Sequence, residues 1–162
     1  SILDSSIDIG LIENTPEDPD LKCIPFMEDS LCAIASPGHP LTSLEKVSLA
    51  QMAEYPFLMR EKGSAGREIL DACFSLAHLL VRPLWESAST QAIVRAVSER
   101  LGVAVLPYLL VKKEIEQGTV QQLRLEHPLD RNLNIIFHKN KFLTENMNAF
   151  IRLCRDYGRE KT

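Results

Sequence analysis

Residues 87–107, SASTQAIVRAVSERLGVAVLP, define one strand–helix–strand unit of an α/β fold. Ser89 and Thr90 carry oxygens that can cap a helix N-terminus, and apolar residues then recur at helical spacing. Gly102 is the residue type expected in the left-handed conformation after a helix end, and Pro107 suits the first turn of the next helix. The stretch therefore predicts a helix whose free N-terminus can bind an anion.

Short apolar strands alternate with helices along the rest of the chain, which predicts an α/β fold with mostly parallel pairing. Two extended stretches, 21–35 and 120–137, lack an intervening helix, and we expect them to cross between two lobes. This gives subdomain II at 37–124 and subdomain I at 1–36 with 125–162. The predicted strands are 7–12, 21–26, 31–35, 57–59, 82–86, 103–106, 120–125 and 133–137. Helices are predicted to begin at Ser48, after the loop 60–67, at Ser89, at Tyr108 and at Thr144.

Composition limits the function classes. The chain has 162 residues, 45% of them hydrophobic and 25% charged, which is typical of a soluble globular protein. Its net charge of −4 leaves no basic stripe for phosphate contacts, so the segment by itself is a poor DNA or membrane binder. No apolar run approaches the roughly 18 residues of a membrane span. Because the chain begins without Met and soon enters a strand pattern, we expect a fragment of a longer protein.

The cysteines predict a reducing compartment. Cys23, Cys32, Cys73 and Cys154 form no C-x-x-C pair and have no His at zinc-finger spacing. We interpret them as free thiols on strands and apolar helix faces rather than as disulfides or metal ligands. Reduced thiols point to the cytoplasm, and we expect neither a metal nor a cofactor.

A Gly/Ser loop, Gly63-Ser64-Ala65-Gly66, lies between a strand and a helix. Free N–H groups and the helix dipole favour an anion there. Ser64 can donate its hydroxyl to a ligand carboxylate or cap its own helix. The spacing matches neither a Walker A loop nor a dinucleotide-binding fingerprint. Ser89 and Thr90 repeat the design after the next strand, and two such helices converge at the carboxyl edge where open sheets bind ligands.

No catalytic set stands out in the sequence. His39 and His127 precede proline, His78 lies late in a helix and His138 ends a strand. The chain has no G-x-S-x-G elbow and no evident pair of catalytic carboxylates. We therefore expect no catalytic residues and no enzymatic activity.

Five sequence blocks, in this order and spacing, resemble the effector-binding domain of LysR-type transcriptional regulators. They are IDIGLI at 7–12, LCAIASPGHPL at 31–41, VSLAQMAEYPF at 47–57, REKGSAGR at 60–67 and GVAVLP at 102–107. The resemblance implies a periplasmic-binding-protein-like fold of two α/β subdomains, joined by two crossover strands, with a cleft for a small-molecule effector. It also implies an N-terminal winged helix-turn-helix that binds promoter DNA, and a homodimer or tetramer. That DNA-binding domain and the opening strands of subdomain I are not in this chain, so subdomain I is expected to be incomplete.

The resemblance also implies a set of ligand contacts. By it, Ser64 would hydrogen-bond an anionic effector and Leu106 would line an apolar wall of the cleft. Arg60 is either a counter-charge for a carboxylate or a member of a surface ion pair. The full set of expected ligand-binding residues is Asn14, Arg60, Gly63, Ser64, Ala65, Thr90 and Leu106.

The sequence thus predicts the ligand-sensing regulatory domain of a bacterial, cytoplasmic transcription factor. One alternative is a periplasmic-type solute-binding protein of a transporter, which would need an exported chain. The other is a small α/β enzyme, which would need a nucleophile, a base and an orienting group within hydrogen-bond reach.

Overall fold

The computed structural model describes residues 2–3, 6–13 and 15–161, and for residues 160 and 161 it describes the backbone alone. Strands alternate with helices over most of this length, as predicted. The strands are β1 (Gly10–Glu13), β2 (Leu21–Ala35), β3 (Phe57–Arg60), β4 (Trp85–Ser87), β5 (Val103–Pro107), β6 (Gln121–Leu123) and β7 (Leu129–His138). The α-helices are α1 (Leu49–Ala53), α2 (Ala65–Leu76), α3 (Thr90–Ser98), α4 (Tyr108–Glu116) and α5 (Glu145–Lys161), and a short 3-10 helix spans Pro40–Ser43.

The chain divides into two compact units. Unit 1 comprises Ser1–Asp29 and Asp130–Thr162, and unit 2 comprises Ser30–Leu129. One unit boundary falls within β2, and the other falls directly after Leu129, the first residue of β7. These two strands therefore carry the chain from one unit to the other. The assignment of subdomains with boundaries at 36/37 and 124/125 stays a prediction.

The sheet of unit 2 is built around β3. This strand pairs in parallel with β4 and with β5. The C-terminal part of β2 pairs antiparallel with β5 and with β6. Among the described strands of this sheet, parallel pairing joins β4, β3 and β5, which is less than the sequence pattern predicts. These are the strands that α2 and α3 connect as crossover helices.

Both faces of this sheet are buried. Alternate residues of β3 point to opposite faces, so Phe57 and Met59 share a core with Phe74 of α2. Leu58 lies in the other core, with Ile93 of α3. All three β3 side chains are at most 1% exposed. This double burial explains the continuous apolar run that identified the strand.

The helix starts in unit 2 follow the sequence prediction. Ser48 and Gln51 form a complete capping box at α1, and Ser64 and Ser89 accept a hydrogen bond from the third residue of α2 and of α3. Thr90 is the first residue of α3 rather than its cap. Caps depend on residues within one turn of each other, which is why a sequence pattern can locate them.

The end of α3 differs from the prediction. Arg100, with a φ of 65°, holds the left-handed position, and Gly102 has no positive φ. The N–H groups of Arg100 and Leu101 donate to the carbonyls of Val97 and Ala96, which closes the helix in a Schellman motif. Position 102 requires glycine for a steric reason, because a Cβ there would lie 2.2 Å from the carbonyl oxygen of Pro56.

Unit 1 contains the antiparallel pair of β1 and β7 and the long helix α5. Ile151 and Cys154 of α5 pack against Ile135 and Phe137 of β7. The cysteines Cys23, Cys32, Cys73 and Cys154 are thiols outside any disulfide bond, as predicted. Within the described part of the chain, no helix combines the length and the apolar character that crossing a membrane requires.

His39 predicts a pH dependence of stability. Its Nδ1 accepts a hydrogen bond from the backbone N–H of Leu41 at 3.2 Å. The centroids of the His39 and Tyr55 rings lie 4.6 Å apart, in an edge-to-face arrangement. Burial lowers the pKa of His39 from its ordinary value of 6.5. The unfolded chain therefore binds this proton more readily, so the stabilisation is complete above pH 6.5 and is lost as the pH falls through the folded pKa.

We expect the His39→Gln variant to lose less stability than the wild type between about pH 7.5 and 5.5. Urea unfolding followed by circular dichroism at both pH values measures this difference. His127 also precedes a proline but is exposed, so His127→Gln should keep the wild-type pH dependence. Identical pH dependence in wild type and His39→Gln would refute the role of His39.

Candidate functional site

Three strands of unit 2 end at one edge of its sheet, and each is followed by a helix. Arg60 ends β3, and the register places it opposite Ser87, the last residue of β4. Helix α2 begins after β3, α3 begins after β4, and α4 begins directly after β5. Because β3 is parallel to β4 and β5, the N-termini of all three helices lie toward the carboxyl edge of these strands. Such an edge is the usual ligand site of an open α/β sheet.

Arg60 connects two of these helix starts. Its Nη1 donates a hydrogen bond to Oγ1 of Thr90 at 3.1 Å, although the two residues are 30 positions apart. The Arg60 side chain is 22% exposed, so its charge remains accessible to solvent. The structure thus brings together two of the residues expected to bind ligand.

Arg60 also forms an ion pair with its neighbour Glu61. Nε donates to Oε2 at 2.8 Å, and Nη2 donates to Oε1 at 3.0 Å. The hydrogen bond from Arg60 lowers the pKa of Glu61. Of the two roles open to Arg60 in the sequence, the surface ion pair is therefore observed, while its role as counter-charge for a ligand stays a prediction.

The Gly/Ser loop places Ser64 at the start of α2. Its Oγ accepts a hydrogen bond from the backbone N–H of Arg67 at 3.3 Å, so the helix-cap role is the one observed. The hydroxyl hydrogen is not used in that contact, since a hydroxyl both accepts and donates. Gly63 has a φ of +88° and nothing within 4 Å of the position a Cβ would take, so the loop before Ala65 has open space around it.

One expected ligand contact lies elsewhere. The side chain of Leu106 is fully buried, in the core that also contains Val94 of α3 and Val111 of α4. Its part in an apolar wall stays a prediction, and in this structure the side chain fills the protein core. Asn14 lies outside the described residues.

Arg67 is a structural residue of this site that the sequence analysis does not single out. Its side chain is 6% exposed, and Nη1 donates to the carbonyl of Arg60 at 2.9 Å. Nη1 also pairs with Glu86 of β4 at 3.0 Å, and Nε pairs with Asp71 of α2 at 2.8 Å. Arg67 therefore fastens the first turn of α2 to the ends of β3 and β4.

The charge of Arg67 is stable despite its burial. Burial by itself lowers the pKa of this guanidinium, but the hydrogen bonds that it donates to Asp71 and Glu86 outweigh that effect, and the pKa is raised. The i to i+4 spacing of Arg67 and Asp71 is visible in the sequence and typical of a helical ion pair. The contact with Glu86, 19 residues away, depends on the pairing of β3 with β4.

A separate apolar groove of unit 2 has a volume of about 390 Å³. Mainly aliphatic side chains line it, from α1, from the C-terminal end of α2 and from residues 125–129. None of the expected ligand contacts that the structure describes lies there. The candidate site is therefore assigned on its polar geometry, not on the size of a cavity.

The candidate site is a set of donors suited to an anion. A guanidinium, the hydroxyls of Ser64 and Thr90 and the N-termini of α2 and α3 can all meet a carboxylate or a phosphate. Among the residues the structure describes, no three His, Cys, Asp or Glu side chains come together as a possible metal site. The fold and the polar geometry together are typical of an α/β domain that binds a small molecule at the carboxyl edge of its sheet.

Comparison with known proteins gives the family. The LysR substrate binding domain model matches residues 1–159, and the chain belongs to this family. The HTH-type transcriptional regulator YeiE of Escherichia coli K12, described as uncharacterized, is 33% identical over 159 residues, which are 95% of this chain and 53% of that protein. The HTH-type transcriptional regulator CysL of Bacillus subtilis is 31% identical over 149 residues, 91% of this chain and 50% of that protein. The chain spans about half the length of the curated relatives it matches.

Solved structures show the same fold. The regulatory domain of CcmR from Synechocystis PCC6803, in complex with 2-PG, matches with a TM-score of 0.86 and 25% identity over 97% of this chain and 76% of that one. The effector-binding domain of QuiR, in complex with shikimate, matches with a TM-score of 0.80 and 20% identity over 98% of this chain and 75% of that one. The predicted α/β, periplasmic-binding-protein-like fold class is confirmed.

The comparisons also separate the alternatives. The curated relatives are transcriptional regulators. The matching family is the LysR substrate binding domain, and the solved structures are a regulatory domain and an effector-binding domain. The interpretation as a sensor domain therefore fits, whereas the alternative of a transporter's solute-binding protein does not.

Proposed function

We propose that this chain is the effector-binding domain of a bacterial, cytoplasmic LysR-type transcriptional regulator, and that it binds a small anionic effector where β3 and β4 end. The hydrogen bond from Arg60 to Thr90 carries this proposal. It places a guanidinium beside the N-terminus of α3, and the Ser64 hydroxyl heads α2, the helix that follows β3. Gly63 and Ala65 would contribute backbone groups from the loop.

The relatives support the regulatory part of the proposal. A regulatory domain at 25% identity binds 2-PG, and the curated relatives carry the name HTH-type transcriptional regulator. Promoter DNA would be bound by an N-terminal winged helix-turn-helix outside this chain, in a homodimer or tetramer. The effector would change DNA binding only to the extent that it binds two states of the protein with different affinity.

We expect the Arg60→Gln variant to bind an anionic effector about 10- to 150-fold more weakly, because a hydrogen bond to a charged group contributes roughly 1.5–3 kcal/mol. A thermal-shift panel of 2-PG, shikimate, phosphate and sulfate selects the anion, and titration calorimetry gives its Kd. Arg95→Gln removes the same charge from a side chain that is 77% exposed on α3, so it should bind like the wild type. Equal Kd values for wild type and Arg60→Gln would exclude the proposed site.

A further inference from the structure

We propose that Glu61 is an internal competitor for the anionic effector, and that its carboxylate holds the affinity of the site below what Arg60 could otherwise provide. The inference rests on the proposed function and deepens it. It assigns a role to a residue that the expected set of ligand contacts does not include. The effector would have to displace Glu61 from Arg60 or bind beside a like charge.

Glu61 occupies the part of Arg60 that fits a carboxylate best. The Nε and Nη2 edge of a guanidinium presents two parallel N–H groups, and this edge is used in bidentate recognition. Both carboxylate oxygens of Glu61 are bonded to it, at 2.8 and 3.0 Å. One N–H of Nη1 donates to the hydroxyl of Thr90. An incoming anion therefore meets a guanidinium most of whose N–H groups are already hydrogen-bonded and whose charge is paired with that of Glu61.

Of the two partners, Glu61 is the one that can leave. The main chain of Arg60 is held within β3, and its carbonyl accepts a hydrogen bond from the buried Arg67. The Glu61 side chain is 41% exposed, compared with 22% for Arg60. Open space surrounds nearby Gly63. Exposed ion pairs contribute little to stability, so the exchange of Glu61 for an effector carries a small energetic cost.

The competition persists at neutral pH. The hydrogen bond from Arg60 lowers the pKa of Glu61, and the carboxylate therefore keeps its charge through the physiological range. Glu61 would weaken the binding of every anion at this position, and effectors with more negative charge would overcome it more readily.

A purely structural role for Glu61 predicts the opposite result. If Glu61 only braced Arg60 in the correct orientation, removal of its charge would loosen the guanidinium and weaken anion binding. If Glu61 competes, the same change frees the guanidinium and strengthens binding. The sign of the change in Kd therefore separates the two roles.

The test compares Glu61→Gln with the wild type by titration calorimetry against 2-PG, shikimate, phosphate and sulfate. We expect Glu61→Gln to bind the anion about 5-fold more tightly, which corresponds to about 1 kcal/mol. Glu68→Gln is the matched control, because Glu68 is an exposed carboxylate in the first turn of α2. This control removes the same charge from the same region and should change the Kd by less than about 2-fold.

Each outcome decides the inference. Weaker or unchanged binding by Glu61→Gln overturns it and leaves the proposed function standing, provided that the wild type binds. Equal tightening by Glu61→Gln and Glu68→Gln also overturns it, because long-range charge alone would then explain the gain. If neither the wild type nor Glu61→Gln binds any of the four anions, the proposed function fails and the inference fails with it.

Discussion

Replacement of Arg131 by methionine is expected to lower the free energy of unfolding by about 3–5 kcal/mol, the typical cost of breaking a buried ion pair from one side. Arg131 is 6% exposed and Asp29 is 1% exposed. Nε and Nη2 of Arg131 both donate to Oδ2 of Asp29, at 2.9 and 2.5 Å, and Nη1 pairs with Glu13 of β1. Removal of the guanidinium would leave Asp29 buried without a counter-charge.

The second carboxylate oxygen of Asp29 does not compensate for this loss. Its Oδ1 is buried and has no hydrogen bond within the described residues. Urea unfolding at neutral pH measures the cost for Arg131→Met. The double variant Asp29→Leu/Arg131→Met should recover most of the lost stability, because an apolar pair carries no desolvation penalty. A loss below about 1 kcal/mol in Arg131→Met would show that the pair is effectively solvated.

The second large effect is expected at Gly102. An alanine Cβ there would lie 2.2 Å from the carbonyl oxygen of Pro56 and 2.9 Å from its carbonyl carbon. The same oxygen accepts a hydrogen bond from the N–H of Val103 at 2.9 Å, where β5 begins beside β3. Because backbone cannot rotate away as a side chain can, we expect Gly102→Ala to cost about 3 kcal/mol, the upper part of the range for overpacking.

Gly66 is the matched control for this substitution. An alanine Cβ at Gly66 would make an ordinary contact of 3.5 Å with a methyl group of Leu31. Since Gly66 lies within α2, alanine should raise stability there by about 0.5–1 kcal/mol. Thermal unfolding of both variants distinguishes steric overlap from a general effect of replacing glycine. A melting temperature of Gly102→Ala equal to that of the wild type would contradict the close approach to Pro56.

The sequence predicts features that depend on local physics. The caps at Ser48, Ser64 and Ser89 are confirmed because capping involves residues within one helical turn. Burial on both faces produces the apolar run of β3, and this run is visible without any knowledge of its partners. The placement of Ser64 and Thr90 after neighbouring strands follows from the same alternation.

The features missed are those that join distant parts of the chain. The sequence predicts a left-handed conformation for Gly102, whereas glycine is required there by a tertiary contact with Pro56. Within the extended stretch 21–35 the sequence predicts two strands with a break at residues 27–30, whereas β2 is one continuous strand. The partner of Asp29 in that break is Arg131, 102 residues away. Similarly, no local pattern in the sequence pairs Arg67 with Glu86.

A crystal structure with the tightest-binding anion of the panel would show whether that anion binds at the ends of β3 and β4. We expect electron density for that anion within hydrogen-bond distance of the Arg60 guanidinium and of the Thr90 or Ser64 hydroxyl, with Glu61 turned away from Arg60. An anion bound at full occupancy that touches neither Arg60 nor Thr90, with the Arg60–Glu61 pair intact, would contradict this expectation.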